Sequence, residues 1–309
     1  MKDKLVTLIG GGGFLGRYVA QALLSRGARV RIAQRRPRDA WFLRPLGGLG
    51  QVQFVAADVT RPETIANAVA GSDAVVNLVG TFTPGDFETI HVDGAGNVAR
   101  VAREAGVEAL VHVSAIGADA QSPATYGRTK AAGEEAARAA FPDVTIMRPS
   151  VLFGREDQFV NRFATMIAGK KFVPVLRGEA RFQPAFVADA AEAIAAALAD
   201  PLAHGGKTYE LGGPDVLSMT ELFRWIADEV GSNPAFVPLP DAIGAVIPIL
   251  PMAPITGDQW QMLQRDNVVS PAAEGFAALG IIPTPLASVA PGWLVQYRRN
   301  GRFAKLGTA

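Results

Sequence analysis

The sequence predicts an α/β fold: a doubly wound parallel sheet with a smaller, mainly helical C-terminal lobe. Three observations carry this reading. Apolar runs rich in valine and isoleucine alternate with helix-period segments through the first half of the chain. Runs that are apolar on both faces and separated by helices belong to a parallel sheet covered on both sides. Next, a cluster of glycines stands between the first strand and the first helix, in "LIGGGGFLGRYVAQALLSRG" from Leu8 to Gly27. Finally, the alternation gives way after Ser150 to an irregular pattern of short strands, helices and proline turns.

The strands are read in order as "LVTLIG", "RVRIAQ", "VQFVAAD", "DAVVNLVG", "EALVHVSAIG" and "VTIMRPS". The first helix begins near Phe14. Ser122 and Pro123 are read as the cap and first-turn residue of the helix in "ATYGRTKAAGEEAARAAF". Ala188 to Asp200 is an alanine-rich helix, and "KTYELGG" is one more strand that returns to the first domain. Residues 1–150 with 187–215 are therefore assigned to a nucleotide-binding domain, and 151–186 with 216–309 to the C-terminal lobe.

Composition narrows the possible functions. The 309 residues carry 30 basic and 29 acidic side chains, a formal net charge of +1, so no overall field points to nucleic acid. The absence of cysteine excludes disulfides, thiolate metal sites and cysteine nucleophiles. His91, His112 and His204 are too scattered to suggest a metal cluster. His91 and His112 fall in helix and strand patterns and are read as satisfied structural residues. The chain opens almost directly on the strand Leu5 to Ile9, from which no signal or transit peptide and a cytoplasmic, bacterial protein are expected. The apolar stretch Ala242 to Ile255 is shorter than the roughly 20 residues of a spanning helix, and prolines interrupt it.

Gly10, Gly13 and Gly16 form G-x-x-G-x-x-G across a strand-to-helix junction. Such a junction needs permissive dihedrals, close backbone approach to a pyrophosphate and tight packing of helix on strand. The helix N-terminus at Phe14 and Leu15 then offers N–H groups and positive dipole to phosphates. This is a Rossmann-type dinucleotide site. An NAD site usually ends its second strand with an acidic residue. Gln34, Arg35 and Arg36 stand there instead, which suits the 2′-phosphate of NADPH and makes NAD the weaker fit. Asp58 and Val59 are placed beside the adenine, and Asn77, Val79 and Gly80 under the ribose and pyrophosphate.

Tyr126 and Lys130 are four apart on a predicted helix, hence one turn apart on one face. There the ammonium lowers the phenol pKa, so that the tyrosine exchanges a proton with a carbonyl or alcohol while the lysine bonds the nicotinamide ribose. Ser114 ends the preceding strand and orients the same substrate oxygen. Together with "RPS" at Arg148 to Ser150, these residues resemble an extended, atypical short-chain dehydrogenase/reductase over residues 1–215. The blocks "RRPRDAWFLRPLG", "FGREDQFVNRFA", "RFQPAFVADAAEAI" and "ITGDQWQMLQRDNVVS" narrow the resemblance to the nucleotide-binding accessory subunits of respiratory complex I and their bacterial relatives. That resemblance implies a tightly held NADPH, a role in assembly or stability rather than turnover, and location on the cytoplasmic face of the inner membrane. It also implies nicotinamide-side contacts by Tyr126, Lys130, Pro149 and Val151.

Two other readings stay open: a free NADP-dependent oxidoreductase and a nucleotide-sugar epimerase or dehydratase, both using Ser114, Tyr126 and Lys130. In the second lobe, Arg155, Glu156 and Asp157 are read as helix-opening charges rather than catalytic groups. Val237 to Leu263 is read either as a core hairpin or lid, or as a docking surface for another subunit or the membrane. Arg298, Arg299, Arg302 and Lys305 form a basic tail suited to anionic lipid or acidic subunits, or to plain solvation.

Overall fold

The computed structural model describes residues 1–246, 248, 255–299, 301 and 303. They form two compact units, one built from Met1–Pro149, Val187–Leu211 and Ser270–Ile282, the other from Ser150–Phe186, Gly212–Val269 and the residues from Pro283 onward.

The first unit holds a sheet of seven strands, β1 (Leu5–Ile9), β2 (Arg29–Gln34), β3 (Val52–Ala56), β4 (Ala74–Asn77), β5 (Ala109–Val113), β6 (Thr145–Pro149) and β7 (Thr208–Leu211). Every neighbouring pair is parallel, and the spatial order is β7-β6-β5-β4-β1-β2-β3. Strand order reverses between β1 and β4, and a doubly wound sheet opens a crevice beyond the carboxyl ends of its strands at such a switch point. The valines and isoleucines of β1 and β4 are buried throughout, as strands covered on both faces require.

Five helices cover the sheet: α1 (Phe14–Ser25), α2 (Pro62–Val69), α3 (Gly94–Glu104), α4 (Thr125–Ala140) and α5 (Val187–Ala199). Ile65, Val98 and Val101 pack with Val75, Leu110 and Ile146 in one apolar cluster. Each side chain of that size contributes about 1.5–3 kcal/mol when fully buried. The alanine-rich α5 lies on α1, where Arg26 pairs with Glu192. A π-helical turn, Glu88–Asp93, leads into α3.

Two boundaries differ from the sequence reading. Helix α4 starts at Thr125, after an N-cap, Ala124, that has no side-chain cap. Ser122 is buried and accepts from the Ala124 N–H at 3.3 Å, so it shapes the turn before the helix rather than capping it. Residues 270–282, which the sequence pattern places in the C-terminal lobe, belong to the first unit. They are tied to β7, where the Glu210 N–H donates to the Glu274 carbonyl at 2.9 Å and the Glu210 carboxylate accepts from the Ser270 N–H at 2.8 Å.

In the second unit the helices Val160–Ile167 and Met219–Val230 pack together around Phe153, Phe182, Leu222 and Ile226. Short paired strands accompany them, among them Phe172–Leu176 parallel to Ala235–Leu239. Asp157 is 2% exposed and accepts the N–H groups of Gly154, Phe159 and Asn161. Its role is to cap the turn before a helix. Within Val237 to Leu263, a strand, the helix Asp241–Val246 and the capped helix Gly257–Met262 are described, while 247 and 249–254 lie outside the described residues, as do Arg302 and Lys305 of the tail. Among the described residues no helix is long and apolar enough to cross a membrane.

Candidate functional site: a glycine-cradled cleft at the switch point

The glycines of the β1–α1 loop answer to different constraints. Gly10 has φ of +83°, a left-handed conformation, and a Cβ there would stand 3.0 Å from Val79 Cγ2. At Gly16 a Cβ would lie 2.4 Å from the Gly11 carbonyl oxygen, so this residue lets α1 close onto the loop. Gly12 donates its N–H to Gln34 Oε1 at 3.1 Å, which ties the loop to the end of β2. Gly13 is exposed at the N-cap of α1, with the Gly10 carbonyl oxygen 3.3 Å from the position of a Cβ. The first turn of α1, entered through Phe14 and Leu15, carries no acidic residue that would neutralise its positive end.

Beyond the strand ends lies a cleft of about 310 Å³ lined by Gly10, Gly13, Arg35, Asp58, Val59, Val79 and Gly80, all of them read from the sequence as nucleotide contacts. Ile9, Ala33, Gln34, Ala57 and Leu78, at or just past the strand ends, also line it, as do Thr81, Asp86 and Ile90. The strand-end residues follow from the rule that a site gathers at strand carboxyl ends. Asp86 and Ile90 come from the irregular segment after β4, which carries no comparable signal.

Other expected residues take supporting places. Gly16 packs within the loop, and Arg36 is exposed outside the cleft lining, its carbonyl accepting from Gln34 Nε2 at 2.7 Å. Asn77 does not line the cleft. It is 2% exposed, donates Nδ2–H to His112 Nδ1 at 3.1 Å and accepts from the Val79 N–H at 3.2 Å, so it fixes the exit of β4. Pro149 ends β6, its carbonyl accepting from the Ile116 N–H at 3.0 Å. Val151 belongs to the second unit, where its N–H donates to Asn267 Oδ1 at 3.0 Å.

Electrostatics set the protonation states. The Thr60 N–H, donating to Asp58 Oδ1 at 3.0 Å, holds the Asp58 carboxyl below the usual range, with the Thr60 hydroxyl, Arg35 and Arg61 adding to the effect. Lys130 is 4% exposed and donates Nζ–H to the Val113 carbonyl at 2.9 Å. Burial pulls its ammonium down to about 8, against the opposing charge of Glu134. His91 accepts from the Thr81 N–H through Nε2 at 3.2 Å, so its Nδ1–H donates to Thr129 Oγ1 at 3.0 Å. Burial, aided by Lys130, pushes His91 down to about 4. His112 is likewise neutral, held well below its usual value by burial, with the Asn77 bond leaving its proton on Nε2. Both histidines are satisfied structural groups. Among the described residues no cluster of three or more acids and histidines is placed to hold a metal.

Tyr126 is half-buried, one helical turn before Lys130. Its ring stacks on Phe82 at 5.0 Å and 8°, and meets His91 and Phe87 edge-on at 5.3 and 5.9 Å. Ser114 is 5% exposed and its hydroxyl has no hydrogen-bond partner. An unmet buried hydroxyl costs about 1–3 kcal/mol. That orphan hydroxyl, a backbone cradle kept open by glycine and an uncompensated helix N-terminus are what a dinucleotide with phosphate and polar ribose groups would satisfy. The residues present fit such a group.

Comparison with known proteins agrees with this geometry. Residues 6–212 match the NAD dependent epimerase/dehydratase family. The chain is 36% identical over 319 aligned residues to the mitochondrial NADH dehydrogenase [ubiquinone] 1 alpha subcomplex subunit 9 of Arabidopsis thaliana, covering 96% of this chain and 79% of that protein. It is 30% identical to the mitochondrial NADH-ubiquinone oxidoreductase 40 kDa subunit of Neurospora crassa, covering 96% and 80%. The structure of Citrobacter sp. triphenylmethane reductase complexed with NADP(H) superposes with a TM-score of 0.76 at 20% identity, covering 94% of this chain and 99% of that one, a likeness of fold. The chain thus belongs to the NAD dependent epimerase/dehydratase family, and its kinship with these respiratory NADH dehydrogenase subunits extends over almost its whole length.

Proposed function

We propose that this protein holds NADPH as a mainly structural nucleotide and serves as an accessory or assembly subunit of respiratory NADH:quinone oxidoreductase, complex I, bound peripherally at the membrane. The observation that carries the reading is the identity of 36% over 96% of the chain to an NADH dehydrogenase subunit, which continues well past the residues matched by the nucleotide-binding family. The N–H groups of Phe14 and Leu15, at the start of α1, serve the pyrophosphate, while Gly13, whose own N–H donates to the Gly10 carbonyl at 3.1 Å, leaves room for it on the cleft lining. Arg35, with Arg36 beside it, meets the 2′-phosphate, and Asp58 and Val59 flank the adenine. Val79 and Gly80 pass under the ribose, while Tyr126, Lys130 and Pro149 lie toward the nicotinamide. Asn77 acts through the β4 exit rather than by contact.

A second reading rests on the orphan Ser114 hydroxyl, with Lys130 donating to the carbonyl of the preceding residue, Val113, and Tyr126 one helical turn before Lys130. In that reading the protein is a reductase. When bound, NADPH would supply a hydride; Ser114 would orient the carbonyl oxygen of the group that receives it, Tyr126 would deliver the proton to that oxygen and Lys130 would hold the tyrosine's charge. Nucleotide exchange separates the two. Protein purified and desalted repeatedly should keep NADPH that exchanges only slowly with labelled nucleotide. Rapid exchange together with substrate-dependent oxidation would overturn the structural reading.

A further inference from the structure

We propose that the exposed face of residues 37–49, formed by Trp41, Phe42, Leu46 and Leu49 with Arg38 and Arg44, docks an acidic surface of a partner protein. The proposal rests on the accessory-subunit reading and assigns that association to a place on the chain.

The segment Pro37–Leu46 is a run of 3-10 turns between β2 and β3. Its inner side is fixed: Ala40 and Leu43 are buried, and Ala40 Cβ lies 2.9 Å from where a Gly12 Cβ would stand. The outer side is left to solvent, with Trp41 48%, Phe42 49%, Leu46 42% and Leu49 107% exposed. Trp41 and Phe42 are adjacent in this face, and interface centres are enriched in tryptophan, phenylalanine and arginine. A face held rigid from beneath also loses little entropy on binding.

Charge identifies the partner. Arg38 and Arg44 have one acidic residue between them in the chain, Asp39, and neither makes an ion pair among the described residues. The guanidiniums of Arg38 and Arg44 lie 5.7 and 5.4 Å from the Trp41 ring centroid, and that of Arg17 lies 4.8 Å from Phe42. A guanidinium against a ring keeps its planar fork of N–H donors, the geometry that matches a carboxylate. Deep insertion into lipid is disfavoured, because it would carry these arginines toward hydrocarbon at a cost of about 2.5 kcal/mol or more each at the bilayer centre, and a shallow contact with anionic lipid is the alternative that vesicle flotation separates below.

The test uses the full chain in its source organism, as wild type, Trp41→Ala, and Arg38→Glu with Arg44→Glu. Gently solubilised membranes are separated on native gels and the chain is quantified in the complex I band. Both variants should fall about tenfold or more in that band, the loss expected of hot-spot residues. As purified proteins they should still bind NADPH and melt like wild type, which excludes misfolding. Comigration equal to wild type would overturn the proposal alone. So would comigration retained while flotation with phosphatidylcholine/phosphatidylglycerol vesicles is lost, which would make the face a membrane contact. Wild type absent from the band would overturn the accessory reading and this surface with it.

Discussion

Alanine at Gly16 and alanine at Gly13 should do different damage, and the difference follows from distances in the loop. At Gly16 the new Cβ would stand 2.4, 2.6 and 2.7 Å from the oxygen, carbon and Cα of Gly11, all backbone atoms that cannot rotate away. Relief requires α1 to move off the loop, so the substitution should destabilise the nucleotide-free protein by about 1–3 kcal/mol, or more if the helix cannot shift. At Gly13 the nearest atom is the Gly10 carbonyl oxygen, 3.3 Å away, a tight contact that a few tenths of an ångström relieve. Gly13→Ala should leave stability within about 1 kcal/mol of wild type yet place a methyl group on the cleft lining where the phosphates approach. Urea unfolding of nucleotide-free protein and calorimetric titration with NADPH measure the two effects separately. Gly16→Ala is expected to lower the urea midpoint, and Gly13→Ala to weaken NADPH about tenfold or more, equivalent to about 1.4 kcal/mol. A Gly13→Ala protein that binds NADPH like wild type would refute the cradle as the phosphate site, and an unchanged midpoint for Gly16→Ala would refute the packing argument.

Other expectations concern charge and chemistry. Replacing Arg35 and Arg36 by alanine should weaken NADPH far more than NADH, because only NADPH carries the 2′-phosphate; equal losses in parallel titrations would remove these residues as the selecting pair. Tyr126→Phe should keep nucleotide affinity and abolish any reductase turnover, whereas turnover at the wild-type rate would exclude Tyr126 as the acid. Lys130 has a folded value of about 8 against an ordinary 10.5. Between these values the unfolded chain holds the proton that the folded chain has released, so stability should rise with pH across that window by up to about 3 kcal/mol. Lys130→Met should flatten the rise in urea midpoints measured from pH 8 to 10, and an identical profile would show that Lys130 is not perturbed by burial.

The sheet was legible because a buried parallel strand has few ways to be written: every expected strand of the first unit appears, and α1 starts at Phe14. The glycine loop was legible for a related reason, since Gly10, Gly12 and Gly16 have no room or no conformation for a side chain. What sequence reading missed depends on tertiary contacts. The return of 270–282 to the first unit hangs on two hydrogen bonds to Glu210, 60 or more residues away in the chain. Asn77 looked like a cleft residue because it ends β4, but a polar side chain at that position can turn inward once a buried histidine is available on β5. Ser122 resembled a cap because its chemistry is that of a cap, and the turn it makes begins the helix three residues later. Nothing local marks Phe82 as the ring that stacks on Tyr126.

Association with complex I is the central claim, and native-gel separation of gently solubilised membranes from the source organism tests it most directly. The chain should be found by mass spectrometry in the band that contains the complex I subunits, with NADPH released from that band on denaturation. Recovery of the chain only as a small free species would contradict the account and turn attention to substrates reduced at Ser114, Tyr126 and Lys130.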